Sequence, residues 1–259
     1  MNTTKALFLL LFCGMSFAAL SAAPKREYYE IRIYSFKEKA QEEVIDKFLK
    51  DAFLPALHRA GIAKVGVFKP VETDTTFGKR IYVLIPYASL DQYSKLPDLL
   101  QKDKVFASTG TAYLDAPYDN PPYTRMQTIL LQAFTGHPQL EVPKLTNPVN
   151  ERVYELRSYE GHTEKIFKNK VKMFNDGDEV GLFKRLGFNA VFYAEVIAGS
   201  RMPNLMYMTT FENQASRDAH WKAFSSDPQW EKLKVMPEYQ NNVSKNVQTF
   251  LRPTGYSDL

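Results

Sequence analysis

The stretch Tyr29-Glu30-Ile31-Arg32-Ile33-Tyr34 returns as Tyr154-Glu155-Leu156-Arg157-Ser158-Tyr159, an offset of 125 positions. Three further blocks follow in the same order. Leu57-His58-Arg59-Ala60-Gly61-Ile62 returns as Phe183-Lys184-Arg185-Leu186-Gly187-Phe188, and Ile81-Tyr82-Val83 as Met206-Tyr207-Met208. Gln127-Thr128-Ile129-Leu130 returns as Gln248-Thr249-Phe250-Leu251. Four ordered blocks identify an internal duplication, the signature to seek before any other in a chain of this length.

Each copy reads as the same string of elements. In the first, alternation predicts a strand at 28–35, and a one-faced apolar pattern through Val44, Phe48, Leu49, Ala52, Phe53 and Leu57 predicts a helix at 38–60. Gly61 ends that helix, because glycine enters the left-handed conformation freely. Strands at 63–71 and 79–87 follow, then a helix at 89–103 capped by Ser89, then a strand at 124–134. The second copy gives a strand at 151–159, a helix at 162–186, and strands at 189–197 and 204–211. A helix from 213 broken at Asp227-Pro228 and a strand at 245–252 complete it. The order β-α-β-β-α-β is the ferredoxin-like unit. Its sheet has one face under helices and one bare, so two units in one chain bury both bare faces by closing on each other. The predicted fold is therefore α+β, tandem ferredoxin-like units in one barrel. The first unit covers 24–135, a Gly/Pro-bearing linker 136–150, and the second unit 151–259.

Residues 1–23 read as a secretory signal peptide: Lys5, an apolar run from Ala6 to Leu20, then Ser21-Ala22-Ala23. This predicts a periplasmic or secreted protein of a Gram-negative bacterium. Cys13, the only cysteine, lies inside the leader, so the mature chain has no thiol chemistry and no disulfide. Loss of Lys5 leaves 32 basic against 29 acidic residues, too even a balance for a nucleic-acid partner. No later apolar run is long enough to span a bilayer. With 44% apolar and 14% aromatic residues the chain can fill two modest cores.

Alternation divides each opening strand into two faces. Tyr29, Ile31 and Ile33, and their copies Tyr154, Leu156 and Ser158, are expected to pack under the helices. Glu30, Arg32 and Tyr34, with Glu155, Arg157 and Tyr159, are then expected to point into the shared barrel. There, Arg32 and Arg157 would hold an anionic or carbonyl group, and Tyr34 and Tyr159 would donate hydrogen bonds. Glu30 or Glu155 would serve as a base if burial raised its pKa. The competing reading is that Glu30–Arg32 and Glu155–Arg157 are ion pairs that fill the barrel. His58, His137, His162 and His220 form no metal-binding pattern, so no metal and no cofactor are expected. His137 sits in the linker, where a surface role is expected. No phosphate-binding loop or nucleophile elbow is present, and the residues name no reaction.

The paired Tyr-Glu-x-Arg-x-Tyr blocks, Arg217-Asp218-Ala219-His220-Trp221-Lys222-Ala223-Phe224 and Ser226-Asp227-Pro228-Gln229-Trp230 together resemble the NIPSNAP family. The resemblance is strongest in the second copy, since the first has Gln92-Tyr93 where the Arg-x-x-His-Trp pattern would fall. It implies two ferredoxin-like units of the dimeric α/β-barrel superfamily and carries little chemistry. Two functions follow. One is an exported barrel that binds a small molecule, with or without catalysis. The other is a non-catalytic interaction or oligomerisation module that uses Tyr118, Tyr123 and Tyr256.

Overall fold

A computed structural model describes residues 24–259; the predicted leader lies outside the described residues. Eight strands form the framework: β1 (Tyr28–Ser35), β2 (Gly66–Pro70), β3 (Arg80–Tyr87), β4 (Arg125–Ala133), β5 (Val153–Glu160), β6 (Phe192–Ala198), β7 (Asn204–Phe211) and β8 (Lys245–Pro253). They close in the order β1-β3-β2-β8-β5-β7-β6-β4, with every neighbouring pair antiparallel. Each unit contributes four adjacent strands. The β2–β8 and β4–β6 pairings join the units and leave no free sheet edge.

The first unit carries α1 (Lys39–Phe48), a π-turn at Leu49–Phe53 and α2 (Leu54–Arg59), which run on as one helix. A reciprocal Glu38–Gln41 capping box starts it, and Gly61, at φ +82°, ends it. Beside it on the same outer face of the sheet lie α3 (Leu90–Lys102), capped by Ser89 as the sequence predicts, and two short helices the pattern does not reveal, α4 (Lys104–Thr109) and α5 (Thr111–Leu114). The second unit carries α6 (Glu164–Asn175) and α7 (Glu179–Arg185), predicted as one helix but divided at Gly177-Asp178, where Asp178 has φ +59°. Then come α8 (Gln214–Ser225) and α9 (Pro228–Leu233), the latter capped by Asp227 with Pro228 at its first position.

The faces of the opening strands are the reverse of the sequence expectation. Tyr29, Ile31, Ile33, Tyr154 and Leu156 join Phe68, Tyr82, Phe192, Met206 and Met208 in one core that fills the barrel. Glu30, Arg32 and Tyr34, and Glu155, Arg157 and Tyr159, lie on the outer face beneath the helices. β1 and β5 also stand opposite each other in the ring, so the two Glu-Arg-Tyr sets diverge. The physical reason is that the barrel centre is the driest part of the molecule and takes the apolar side of each strand. The sheet–helix layer is nearer solvent, and Arg and Trp from helices can reach the carboxylates there.

The repeat blocks also need one correction. β1 pairs Ile31 with Leu84, and β5 pairs Leu156 with Met208, so Tyr82 is equivalent to Met206 and Tyr207 to Val83. Tyr82 faces the lumen and Tyr207 the helices. The last block slips likewise, since Ile31 pairs with Ile129 and Leu156 with Thr249. Sequence similarity had matched tyrosine to tyrosine and glutamine to glutamine across opposite faces.

Candidate functional site

Glu155 is wholly buried and saturated with donors. Arg157 Nε donates to it at 2.7 Å, Arg217 grips both oxygens at 2.9 and 3.0 Å, and Trp221 Nε1 donates at 2.8 Å. The Arg157 guanidinium lies 3.6 Å from the Trp221 ring centre and donates to the Tyr159 hydroxyl at 3.1 Å. That hydroxyl meets Tyr207 at 2.8 Å. Burial pushes the Glu155 carboxyl up, but the Arg217 and Arg157 guanidiniums outweigh it and hold the carboxyl below its ordinary range. A carboxylate so held is a poor base, which removes the catalytic role expected for Glu155.

The first unit repeats the motif with one hydrogen bond fewer. Glu30 accepts from Arg32 at 2.9 Å, Tyr87 at 2.8 Å and Thr128 at 3.2 Å, while Arg32 stacks on Phe53. Tyr34 packs edge-on against Tyr113 and Tyr123. Both expected Glu–Arg pairs form, but as structural pairs outside the barrel. None of Glu30, Arg32, Tyr34, Glu155, Arg157 or Tyr159 lines a cavity named below.

A cavity lies elsewhere, between the inter-unit segment and the α7–β6 corner. It holds about 450 Å³. Gly136, His137 and Pro138 form one side, and Val180, Lys184 and Tyr193 the other. Its position follows from local structure. Phe134 and His137 close a tight turn, and Glu141 N–H donates to the Val191 carbonyl at 3.0 Å, which straps the segment to the approach of β6. His137 is therefore drawn inward; its side chain is 10% exposed, against the surface role expected from the sequence. Its ring meets the Tyr193 ring edge-on at 5.2 Å.

His137 Nε2 and the Tyr193 hydroxyl are both buried without a hydrogen-bond partner. Burial holds the His137 imidazole below its ordinary range, so it is neutral at pH 7. Burial also pushes the Tyr193 phenol far up, so it keeps its proton. The Glu141 carboxylate stands 3.9 Å from His137 Nδ1. The exposed Lys144 and Lys184 add positive charge at the rim. The wall holds the His137 imidazole and the Tyr193 phenol, whose unpaired polar atoms lie just beneath its surface, with the Glu141 carboxylate, two ammonium groups at the rim, and Val142, Pro143 and Ala190. Among the described residues no group of three or more His, Cys, Asp or Glu is placed to hold a metal ion.

Residues 154–258 match the sequence profile of the NIPSNAP family. The second unit carries the resemblance to that family. Arg217 and Trp221, which clamp Glu155, lie inside the matched stretch. The cavity straddles the border of that stretch: α7 and β6 lie inside it, and His137 and Lys144 precede it. A candidate monooxygenase from Lactobacillus acidophilus has the same fold at TM-score 0.57 and 11% identity, covering 88% of this chain and 94% of that one. An anthrone oxidase-like protein matches at TM-score 0.51 and 10% identity, covering 90% and 93%. A NIPSNAP family protein from Agrobacterium tumefaciens matches at TM-score 0.36 and 17% identity, covering 42% and 93%. At these identities the first two solved structures show a shared fold, the dimeric α/β barrel. Comparison with curated proteins gives no match.

Of the cavity's chemistry, the sequence offered only His137, in a Gly-His-Pro context that reads as a turn. Tyr193 carries no motif, since one more tyrosine in a strand is indistinguishable from core. Arg217 and Trp221 did have a signal: at i and i+4 on a helix they share a face, and that face needed an acid opposite it. Among the aromatics named for an interaction surface, Tyr118 is fully exposed. Tyr123 packs on Tyr34, and Tyr256 donates to Asp46 at 2.6 Å.

Proposed function

We propose that this is a barrel protein that binds a small anionic or carbonyl-bearing molecule in the 450 Å³ cavity between residues 136–144 and the α7–β6 corner. One observation carries the reading: two polar groups, His137 Nε2 and the Tyr193 hydroxyl, sit unpaired and buried in that wall. A buried donor without a partner costs about 1–3 kcal/mol, and a ligand to which it turns on a small side-chain shift recovers that cost. The volume suits an ordinary small-molecule site, and Lys144 and Lys184 suit a ligand with a carboxylate. The ligand-holding roles first expected of Arg32, Tyr34, Arg157 and Tyr159 thus pass to Lys144, Lys184, His137 and Tyr193. A neutral His137 beside a bound molecule is also placed to take a proton from it, which leaves catalysis open to the same site. Export to the periplasm or the cell exterior is part of the proposal, supported by the Lys5–Ala23 leader pattern.

The test is a melting-temperature screen against carboxylates and carbonyl compounds, followed by calorimetric titration of the best compound into wild-type and Tyr193→Phe protein. Because the phenol has no partner in the free protein, Tyr193→Phe leaves the melting temperature within about 2 °C. It weakens binding about tenfold, the worth of one lost hydrogen bond to a charged acceptor. A screen with no stabilising compound, or a compound held equally by both proteins, contradicts the proposal. Concentration-dependent self-association with no ligand-induced shift would instead favour an interaction module built around the exposed Tyr118.

A further inference from the structure

The barrel itself has an opening with its own chemistry. At the end where β1, β5 and β7 bring Ile33, Ser158 and Asn204 together, a cavity of about 150 Å³ enters the lumen. Its floor is apolar: Ile33, Ile129, Leu156 and Met206. Its wall carries two arginines, Arg80 from the start of β3 and Arg201 from the β6–β7 turn, and no acidic side chain. They come from different units, so the two guanidiniums face one opening only because the barrel closes. Arg201 is partly neutralised by Glu160 at 3.2 Å, whereas Arg80 reaches only the Tyr82 hydroxyl, at 3.4 Å. The intervening wall is uncharged: Gln127 contacts Ser200, and Asn204 is bonded to Ser158 at 2.9 Å.

A positive rim over an apolar floor selects an amphipathic anion. Arginine meets a carboxylate with two parallel N–H donors. A cavity of this volume takes a molecule of roughly benzene size, about six heavy atoms, so the tail is short. We propose that this mouth is a binding site for short-chain monocarboxylates of three to four carbons, with the carboxylate between Arg80 and Arg201 and the alkyl tail on Ile129, Leu156 and Met206. It is separate from the His137–Tyr193 cavity, with which it shares no lining residue.

The experiment titrates acetate, propionate, butyrate, hexanoate and sulfate into the full mature chain, following the Met206 methyl resonance and the amides of β1, β5 and β7. Propionate and butyrate bind most tightly, hexanoate is excluded by the closed floor, and Arg80→Gln and Arg201→Gln each weaken butyrate about tenfold or more. Leu156→Phe, which fills the floor, removes the butyrate-induced shift of the Met206 methyl. The proposal is overturned if no carboxylate moves the Met206 methyl, if sulfate competes as well as butyrate, or if the two arginine variants bind as wild type does. If Leu156→Phe fails to fold, the chain-length series on the wild type decides: equal affinity from acetate to hexanoate excludes a closed apolar floor.

Discussion

Glu155 accepts four hydrogen bonds from three side chains while wholly out of solvent. An ion pair of this kind is neutral to stability when compared with apolar packing, but breaking it strands buried charge. Glu155→Gln therefore leaves Arg157 and Arg217 short of an acid and costs about 3–5 kcal/mol, read as a fall in the urea midpoint. The pH sign follows from the lowered pKa. The stabilisation is present above the ordinary carboxylate range, about 4.3, and is lost as pH falls through the lower folded-state value. His137 acts at higher pH with the same slope. Its folded-state pKa is depressed, so below about 6.5 the unfolded chain takes up a proton that the folded chain refuses, and stability falls. His137→Gln flattens the stability-versus-pH curve between the two pKa values, and denaturant melts at pH 5 to 8 measure it.

Elements were more legible than facings. The strand and helix periods, the Ser89 cap, the Gly61 end and the Asp227-Pro228 start all stand where the residues indicated. These signals are local, fixed by a few neighbouring dihedrals and caps. The break at Gly177-Asp178 and the short α4 and α5 were not legible, because an apolar pattern continues across them. Facing was misread because alternation tells which residues share a side but not which side is driest. The lumen took Tyr29, Ile31 and Ile33, and Glu30 and Arg32 found partners on the outer layer. The same gap hid the one-residue slips that set Tyr82 and Tyr207 on opposite faces. The two helix ends give a clean test at this scale. Gly61 and Gly187 have φ of +82° and +75°, so Gly61→Ala and Gly187→Ala each lower stability by about 1 kcal/mol from the left-handed strain alone. The two losses are about equal, since a Cβ at 187 would make only an ordinary contact, 3.4 Å from His220 Nε2, and one at 61 would meet nothing.

At the scale of the whole molecule, the duplication matters because neither unit can bury its inner sheet face alone. Tyr29, Ile31 and Phe68 of the first unit share one core with Tyr154, Phe192 and Met208 of the second. The units therefore unfold together: calorimetry gives one transition, with calorimetric and van't Hoff enthalpies in agreement. Two resolved transitions would mean that the shared core contributes little. That closure was legible, because repeated strands with a bare face leave few alternatives. The cavity was not, since it forms where the inter-unit segment is strapped onto the second unit's β6, a tertiary contact no local pattern records. Its chemistry rests on one histidine among only four. The most direct measurement is a pH titration of the His137 imidazole proton by NMR, with and without the best-binding carboxylate. A midpoint below the ordinary value of about 6.5 that rises when the anion is added is the predicted result. A midpoint at the ordinary value, unmoved by any ligand, would place His137 in open solvent and contradict the site.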